Sequence, residues 1–113
     1  GSPWTVATYM VAGRGSKDQG ETRAFAYRDP AAFCEIIDAI TKLTVEYLAR
    51  QIEAGVEAVQ LFDSWAGSLS PAQFERWVIA PNGAIVSALR ERCPGALVIG
   101  FPKGAGGKLP AYA

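Results

Sequence analysis

The stretch VQLFDSWAG, residues 59–67, changes character halfway along its length. It begins with mostly apolar residues, typical of a short buried strand, and ends with polar, aromatic and glycine residues, typical of a loop. Ser70 and Pro71 then predict the start of a helix, because serine caps helices and proline fits their first turn. Polar groups between a strand and a helix are where α/β folds place their chemistry. The stretch therefore predicts an α/β fold with a candidate site at the end of this strand.

The segments after this stretch predict a second strand, parallel to the first. We expect strands at residues 56–62 and 96–101, with the helix that begins at Pro71 between them. Pro81 lies inside that helix and should kink or interrupt it, because proline lacks an N–H group and crowds the preceding turn. A strand, a helix and a strand in this order form a βαβ unit with parallel strands and a right-handed crossover.

The segments before the stretch predict helices. Residues 3–12 indicate a short helix, although their threonines and valines leave a strand open, and residues 22–27 indicate another. A long helix follows, capped by Asp29 and ended by Gly55. Its apolar residues recur at spacings of three and four, so we expect this stripe, and the stripe on the helix after Pro71, to lie in the core. The two stripes are Phe33, Ile36, Ile37, Ile40, Leu43, Tyr47, Leu48 and Ile52, and Phe74, Trp77, Val78, Ile85, Val86 and Leu89.

Composition and charge argue against several classes of function. The 113 residues suffice for one small domain, half of them are hydrophobic, and the formal net charge is zero. That balance offers no electrostatic attraction for nucleic acid or an anionic membrane surface. No apolar run approaches the roughly 20 residues that a membrane span needs. The chain opens on a turn-like Gly1-Ser2-Pro3 and stops where a helix begins at Pro110, so we expect a piece of a longer protein.

Histidine and cysteine usage narrows the chemistry further. The chain contains no histidine, which excludes a Ser-His-Asp or Cys-His nucleophile system within it and argues against a zinc site. Cys34 and Cys93 are isolated, with no metal-ligand spacing. They indicate reduced thiols in a cytoplasmic protein.

Two groups of residues are candidates for ligand contact. Asp63 and Ser64 at the strand end could hydrogen-bond a ligand beside the apolar wall of Trp65, or could cap their own loop backbone. Tyr9 shares a helical face with two threonines, so its phenol could orient a carboxylate or could be a core tyrosine.

Two glycine-rich loops and a basic cluster are weaker candidates. Residues 103–108 lack the first glycine and the final serine or threonine of a phosphate loop, and residues 13–15 lack the third glycine of a dinucleotide motif. Either loop is better explained as a flexible loop or a turn. Arg14, Lys17, Arg23 and Arg28 form a mild basic cluster, which is more often a solvated surface than an anion site.

Two segments together resemble the uroporphyrinogen decarboxylase family. They are GSPWTVATYMV at residues 1–11 and QLFDSWAG at residues 60–67, and the helix end QIEAG at residues 51–55 fits as well. FPKGAG at residues 101–106 resembles the family's lysine-glycine loop more loosely. The chain departs from the family pattern around Ala12 to Arg14 and at Asn82, where an aromatic residue is usual.

The resemblance implies a fold and a reaction. The fold would be a (β/α)₈ barrel, of which residues 1–113 would be a single middle fragment with about two parallel strands and long intervening helices. The enzyme would be a homodimer that needs no cofactor and removes carbon dioxide from the four acetate arms of uroporphyrinogen. Tyr9 matches the family's active-site tyrosine and Ser64 a substrate-binding hydroxyl, while Phe62 and Met10 would line the cleft. The family's central aspartate, N-terminal arginines and C-terminal histidine have no counterpart in this chain.

Two alternatives remain open at this point. One is a methyltransferase of the same superfamily, whose zinc ligands would lie outside this chain. The other is a non-catalytic βα module that binds a partner through exposed apolar surface.

Overall fold

The computed structural model describes residues 1–15 and 18–113 as a set of helices against two strands. The helices are α1 (Pro3–Ala12), α2 (Gly20–Arg28), α3 (Pro30–Glu53), α4 (Pro71–Phe74), α5 (Ala80–Arg92) and α6 (Leu109–Tyr112). The strands are β1 (Ala58–Asp63) and β2 (Leu97–Pro102). None of the described helices combines the length and the hydropathy that crossing a bilayer requires.

The predicted helix ends are confirmed. The Asp29 carboxylate accepts a hydrogen bond from the Ala32 N–H at 3.1 Å, and the Ser70 hydroxyl accepts one from the Gln73 N–H at 3.4 Å. These bonds satisfy donors that a first helical turn leaves free. Gly55 follows α3 with a φ of 112°, a conformation that side chains disfavour. Both strands begin one or two residues later than predicted.

Pro81 alters the helix between the strands without ending it. Glu75–Ile79 forms a π-helical segment that joins α4 to α5, and the Ala80 N–H bonds to the Glu75 carbonyl five residues back. Since Pro81 has no N–H group, the wider turn just before it takes up the local mismatch. The predicted interruption is therefore a π-helical widening in a helical run from residue 71 to residue 92.

The two strands are parallel, as predicted. The register pairs Ala58 with Leu97 at one end and Asp63 with Pro102 at the other. Burial alternates along β1: one face packs against the helices, and the other face, which includes Phe62, is exposed. This exposed face also carries Phe101, whose ring lies 4.9 Å from that of Phe62 between centroids.

The helices pack through two apolar clusters. An aromatic cluster joins α1, α3 and the π-helical segment, with Phe33 edge-on to both Trp4 and Trp77 at centroid distances of 5.8 and 4.7 Å. A second cluster places α3 and α5 over the buried face of the sheet. Its members are Leu48, Ala49, Val59, Leu61, Ile85, Leu89 and Cys93.

The prediction that the whole α3 stripe lies in the core is wrong at two residues. Leu43 is 71% exposed and Tyr47 is 65% exposed. They line a groove of about 1070 Å³, here called the flank groove, together with Val6, Met10, Val59 and Leu61. The apolar stripe of α3 is wider than the surface that α1, α5 and β1 offer it. The stripe after Pro71 is core as expected, with Val86 only partly buried.

Candidate functional site

Helix α1 is attached directly to the carboxyl end of β1. The Ser2 N–H donates to the Phe62 carbonyl at 2.9 Å. One turn later, the Thr5 hydroxyl donates to the Asp63 carboxylate across 58 residues of sequence. These bonds put α1, and with it Tyr9, over the loop that carries Ser64.

Trp65 joins this loop to α1 through both its main chain and its indole. Its N–H donates to the Thr5 hydroxyl at 3.4 Å, and its carbonyl accepts from the Trp4 indole at 3.0 Å. Its own indole N–H donates to the Tyr9 hydroxyl at 3.2 Å. Sequence reasoning assigned Trp65 only an apolar wall and missed this connecting role, because each bond spans about sixty residues.

Asp63 is fully buried behind the loop. Burial raises the pKa of its carboxyl group from an ordinary 3.8 to about 6, while the hydrogen bond from Thr5 opposes the rise. Its second carboxylate oxygen has no hydrogen-bond partner among the described residues. Asp63 therefore anchors α1 to the end of β1, and it neither lines the cleft described below nor caps its own loop.

A close approach between glycines brings the loops after β1 and β2 together. The Gly67 N–H donates to the Lys103 carbonyl at 3.2 Å, and the Lys103 N–H donates to the Asp63 carbonyl at 3.0 Å. A Cβ atom on Gly67 would lie only 2.7 Å from the Gly104 carbonyl oxygen. Gly104 itself has a φ of 73°. This packing therefore requires glycine at both positions.

The two loops enclose a cleft of about 340 Å³ at the carboxyl ends of the strands. We call it the strand-end cleft; its lining includes Asp18, Arg23, Ser64, Trp65, Lys103 and Gly104. Ser64 lines this cleft and is half-buried. The flank groove is larger but mostly apolar, and it lacks this concentration of polar and charged groups.

The four predicted site residues do not all meet at this cleft. Tyr9 is 45% exposed and bonds to Trp65, so its interpretation as a core tyrosine is wrong. Phe62 is 40% exposed, but on the open face of the sheet, against Phe101. Met10 lines the flank groove and a neighbouring depression on α2, away from the hydroxyl of Tyr9. The structure thus brings Tyr9 and the Ser64 loop together through Trp65, and it leaves Met10 on another side of α1.

The predicted basic cluster is dispersed. Arg14 forms an exposed ion pair with Glu21 at 2.9 Å, and Arg28 lies over the Phe25 ring. Arg23 lines the strand-end cleft. Lys17 lies outside the described residues.

The cysteines and the acidic side chains of the described residues form no further candidate site. Cys34 and Cys93 are both free thiols. Within residues 1–15 and 18–113, no three histidine, cysteine or acidic side chains come together as a metal site would require.

Two parallel strands that pack against helices on one face, with a cleft at their carboxyl ends, are consistent with a segment of a (β/α)₈ barrel. The family model of uroporphyrinogen decarboxylase matches residues 1–113, so the chain belongs to that family.

Curated relatives agree with this assignment. The chain is 71% identical over all 113 residues to a protein from Novosphingobium aromaticivorans named uroporphyrinogen decarboxylase. Proteins of the same name from Rhizorhabdus wittichii and Sphingopyxis alaskensis are 72% and 74% identical over the same length. The chain spans 33% of each of these relatives, about a third of their length.

Proposed function

We propose that this chain is one segment of a cytoplasmic, homodimeric uroporphyrinogen decarboxylase barrel and forms part of its substrate cleft. The reaction converts the four acetate arms of uroporphyrinogen to methyl groups and gives coproporphyrinogen. The family match over the whole chain supports this reaction over that of a methyltransferase or a non-catalytic module.

The chemistry needs no cofactor in this proposal. Protonation of a pyrrole carbon next to an acetate arm makes a cation, which accepts the electron pair left when carbon dioxide departs. A proton then adds to the former acetate carbon, and loss of the first proton restores the pyrrole. The protein must hold the arm in place, exclude water and stabilise the cation.

One observation supports the assignment of residues. The indole of Trp65, which lies in the same loop as Ser64, donates a hydrogen bond to the Tyr9 hydroxyl on α1. In the proposal, the hydroxyl groups of Tyr9 and Ser64 orient substrate arms and Phe62 contacts the macrocycle. A contact from Met10 stays a prediction, because that side chain lines the flank groove. Since the aspartate and arginines that the resemblance implies lie outside this chain, we expect the chain alone to be inactive.

The test is decarboxylation by the full-length barrel that contains this chain. We expect Tyr9→Phe and Ser64→Ala each to lower kcat/KM by about ten-fold, the effect of losing a substrate hydrogen bond. Tyr27→Phe and Ser87→Ala are matched controls, because both residues are exposed on other helices and should leave the kinetics unchanged. Unchanged kinetics in both site variants would remove these roles, and turnover by the 113-residue chain alone would contradict the shared cleft.

A further inference from the structure

Two cationic side chains line the strand-end cleft beside Ser64 without forming ion pairs in the described part of the chain. Arg23 is half-buried and, among residues 1–15 and 18–113, donates only to the Asp18 main-chain carbonyl, at 3.4 Å. The ammonium group of Lys103 is exposed and has no hydrogen-bond or salt-bridge partner within residues 1–15 and 18–113. Neither cation is therefore neutralised by an ion pair with a described residue.

One carboxylate shares the lining. Asp18 accepts a hydrogen bond from the Gly20 N–H at 3.0 Å, at the start of α2. Asp18 lies at the N-terminus of α2, where a negative charge stabilises a helix. Its carboxylate forms no salt bridge with Arg23. With two cations and one carboxylate, the described lining of the cleft carries a net positive charge.

The main chain alone determines where Lys103 sits. Its N–H and its carbonyl are both bonded to the loop after β1, through Asp63 and Gly67. Lys108 provides the contrast, since its ammonium donates to the Leu69 carbonyl at 2.5 Å and lies over the Phe74 ring. The charge of Lys108 is used to hold the loops together, whereas that of Lys103 remains available to a ligand.

We propose that Arg23 and Lys103 form a carboxylate-binding subsite next to the Ser64 hydroxyl, holding one arm of the substrate. This inference rests on the proposed function, which supplies a substrate with eight carboxylate arms. A guanidinium and an ammonium group around one carboxylate give charge-assisted hydrogen bonds, and arginine can bind both oxygens at once. The cleft volume of about 340 Å³ lies at the small end of the range for whole ligands, which suits an arm rather than the macrocycle.

The experiment measures kcat and KM of the full-length barrel with uroporphyrinogen. We expect Lys103→Gln and Arg23→Gln each to raise KM by about ten-fold, the loss of one charge-assisted hydrogen bond, with a smaller change in kcat. Lys103→Arg should restore most of the affinity, because it keeps the charge. Lys42→Gln, an exposed lysine on α3, is the matched control and should leave both constants unchanged.

Inhibition by the product identifies the arm. Coproporphyrinogen keeps the propionate arms and has lost the acetates, so weaker product inhibition in Lys103→Gln assigns the subsite to a propionate. Unchanged product inhibition with a raised KM assigns it to an acetate.

The failure of this inference differs from the failure of the proposed function. An active wild-type barrel with unchanged KM in Lys103→Gln would overturn the subsite alone. A full-length wild-type barrel without decarboxylase activity would overturn the proposed function and the subsite with it. Thermal unfolding of each variant checks the fold; Lys103→Gln is decisive even if Arg23→Gln unfolds, because the exposed Lys103 ammonium forms no hydrogen bond or ion pair with a described residue.

Discussion

The strand-end cleft is held together by contacts within this chain, whereas the flank groove leaves large apolar side chains exposed. At the cleft, hydrogen bonds to Thr5, Asp63 and Trp65 and the approach of Gly67 to Gly104 hold the loops to α1 and to each other. At the groove and on the open sheet face, large apolar side chains lie exposed. They are Leu43, Tyr47, Phe62, Leu97, Ile99 and Phe101.

This difference shows which parts of a barrel a single βαβ unit can organise without further strands. Loops at the carboxyl ends of neighbouring strands can organise one another within a single βαβ unit. The open sheet face, which carries Phe62 and Phe101, and the free edge of β1 instead require further strands. An exposed apolar face of this size is normally covered. We therefore expect the rest of the full-length barrel to cover the groove while leaving the geometry of the cleft unchanged.

The largest expected effect is the pH dependence contributed by Asp63. Between 3.8 and about 6 the folded protein keeps this proton and the unfolded chain loses it, so stability falls as pH rises through that window. We expect the full-length barrel to lose about 2 to 3 kcal/mol of unfolding free energy relative to Asp63→Asn between pH 4 and pH 7. Urea denaturation across that range measures the difference. A pH-independent difference would mean that Asp63 is solvated.

Gly67→Ala probes the contact between the two loops. Its Cβ would lie 2.7 Å from a main-chain oxygen that cannot rotate away, so we expect a loss of about 2 kcal/mol and lower decarboxylase activity. Gly107→Ala is the matched control, since nothing lies within 4 Å of its added carbon. Equal unfolding midpoints for the two variants would show that the loops are not in contact.

Leu43→Gln tests whether the rest of the barrel covers the flank groove. Leu43 is 71% exposed here, and burial by further barrel elements would make its loss cost about 1.5 kcal/mol in the full-length protein. Lys42→Gln, one residue earlier on the same helix, should be nearly neutral. If both variants unfold at the same denaturant concentration, the flank groove stays open to solvent.

The smallest effect is expected at the surface ion pairs between α3 and α5. Arg92 bonds to Glu46 and Glu53, and hydrogen bonds from Arg92 and Arg50 lower the pKa of Glu46 to about 2. A lowered pKa stabilises at neutral pH and is lost as pH falls from 4.5 to about 2, the opposite sign to Asp63. Arg92→Gln should lower the melting temperature slightly at low salt and not at high salt. A salt-independent change would point to packing instead.

The fold was largely predictable from the sequence, and the site only in part. The caps at Asp29 and Ser70, the strands and their parallel pairing all follow from short-range patterns. The prediction that the α3 stripe is buried was wrong at Leu43 and Tyr47, because spacing predicts an apolar face but not the elements that cover it. The resemblance supplied Tyr9 and Ser64 as candidates, which the residues alone left open.

Capping, proline, glycine and periodicity act within a few residues, so local sequence is enough to place the helices and strands. The packed fold is needed to show that Trp65 joins Tyr9 to the Ser64 loop, that Asp63 is buried against Thr5, and that Arg23 and Lys103 share a cleft. These pairs of residues lie between 56 and 80 positions apart. No local pattern encodes which of many polar groups will meet once the chain has packed.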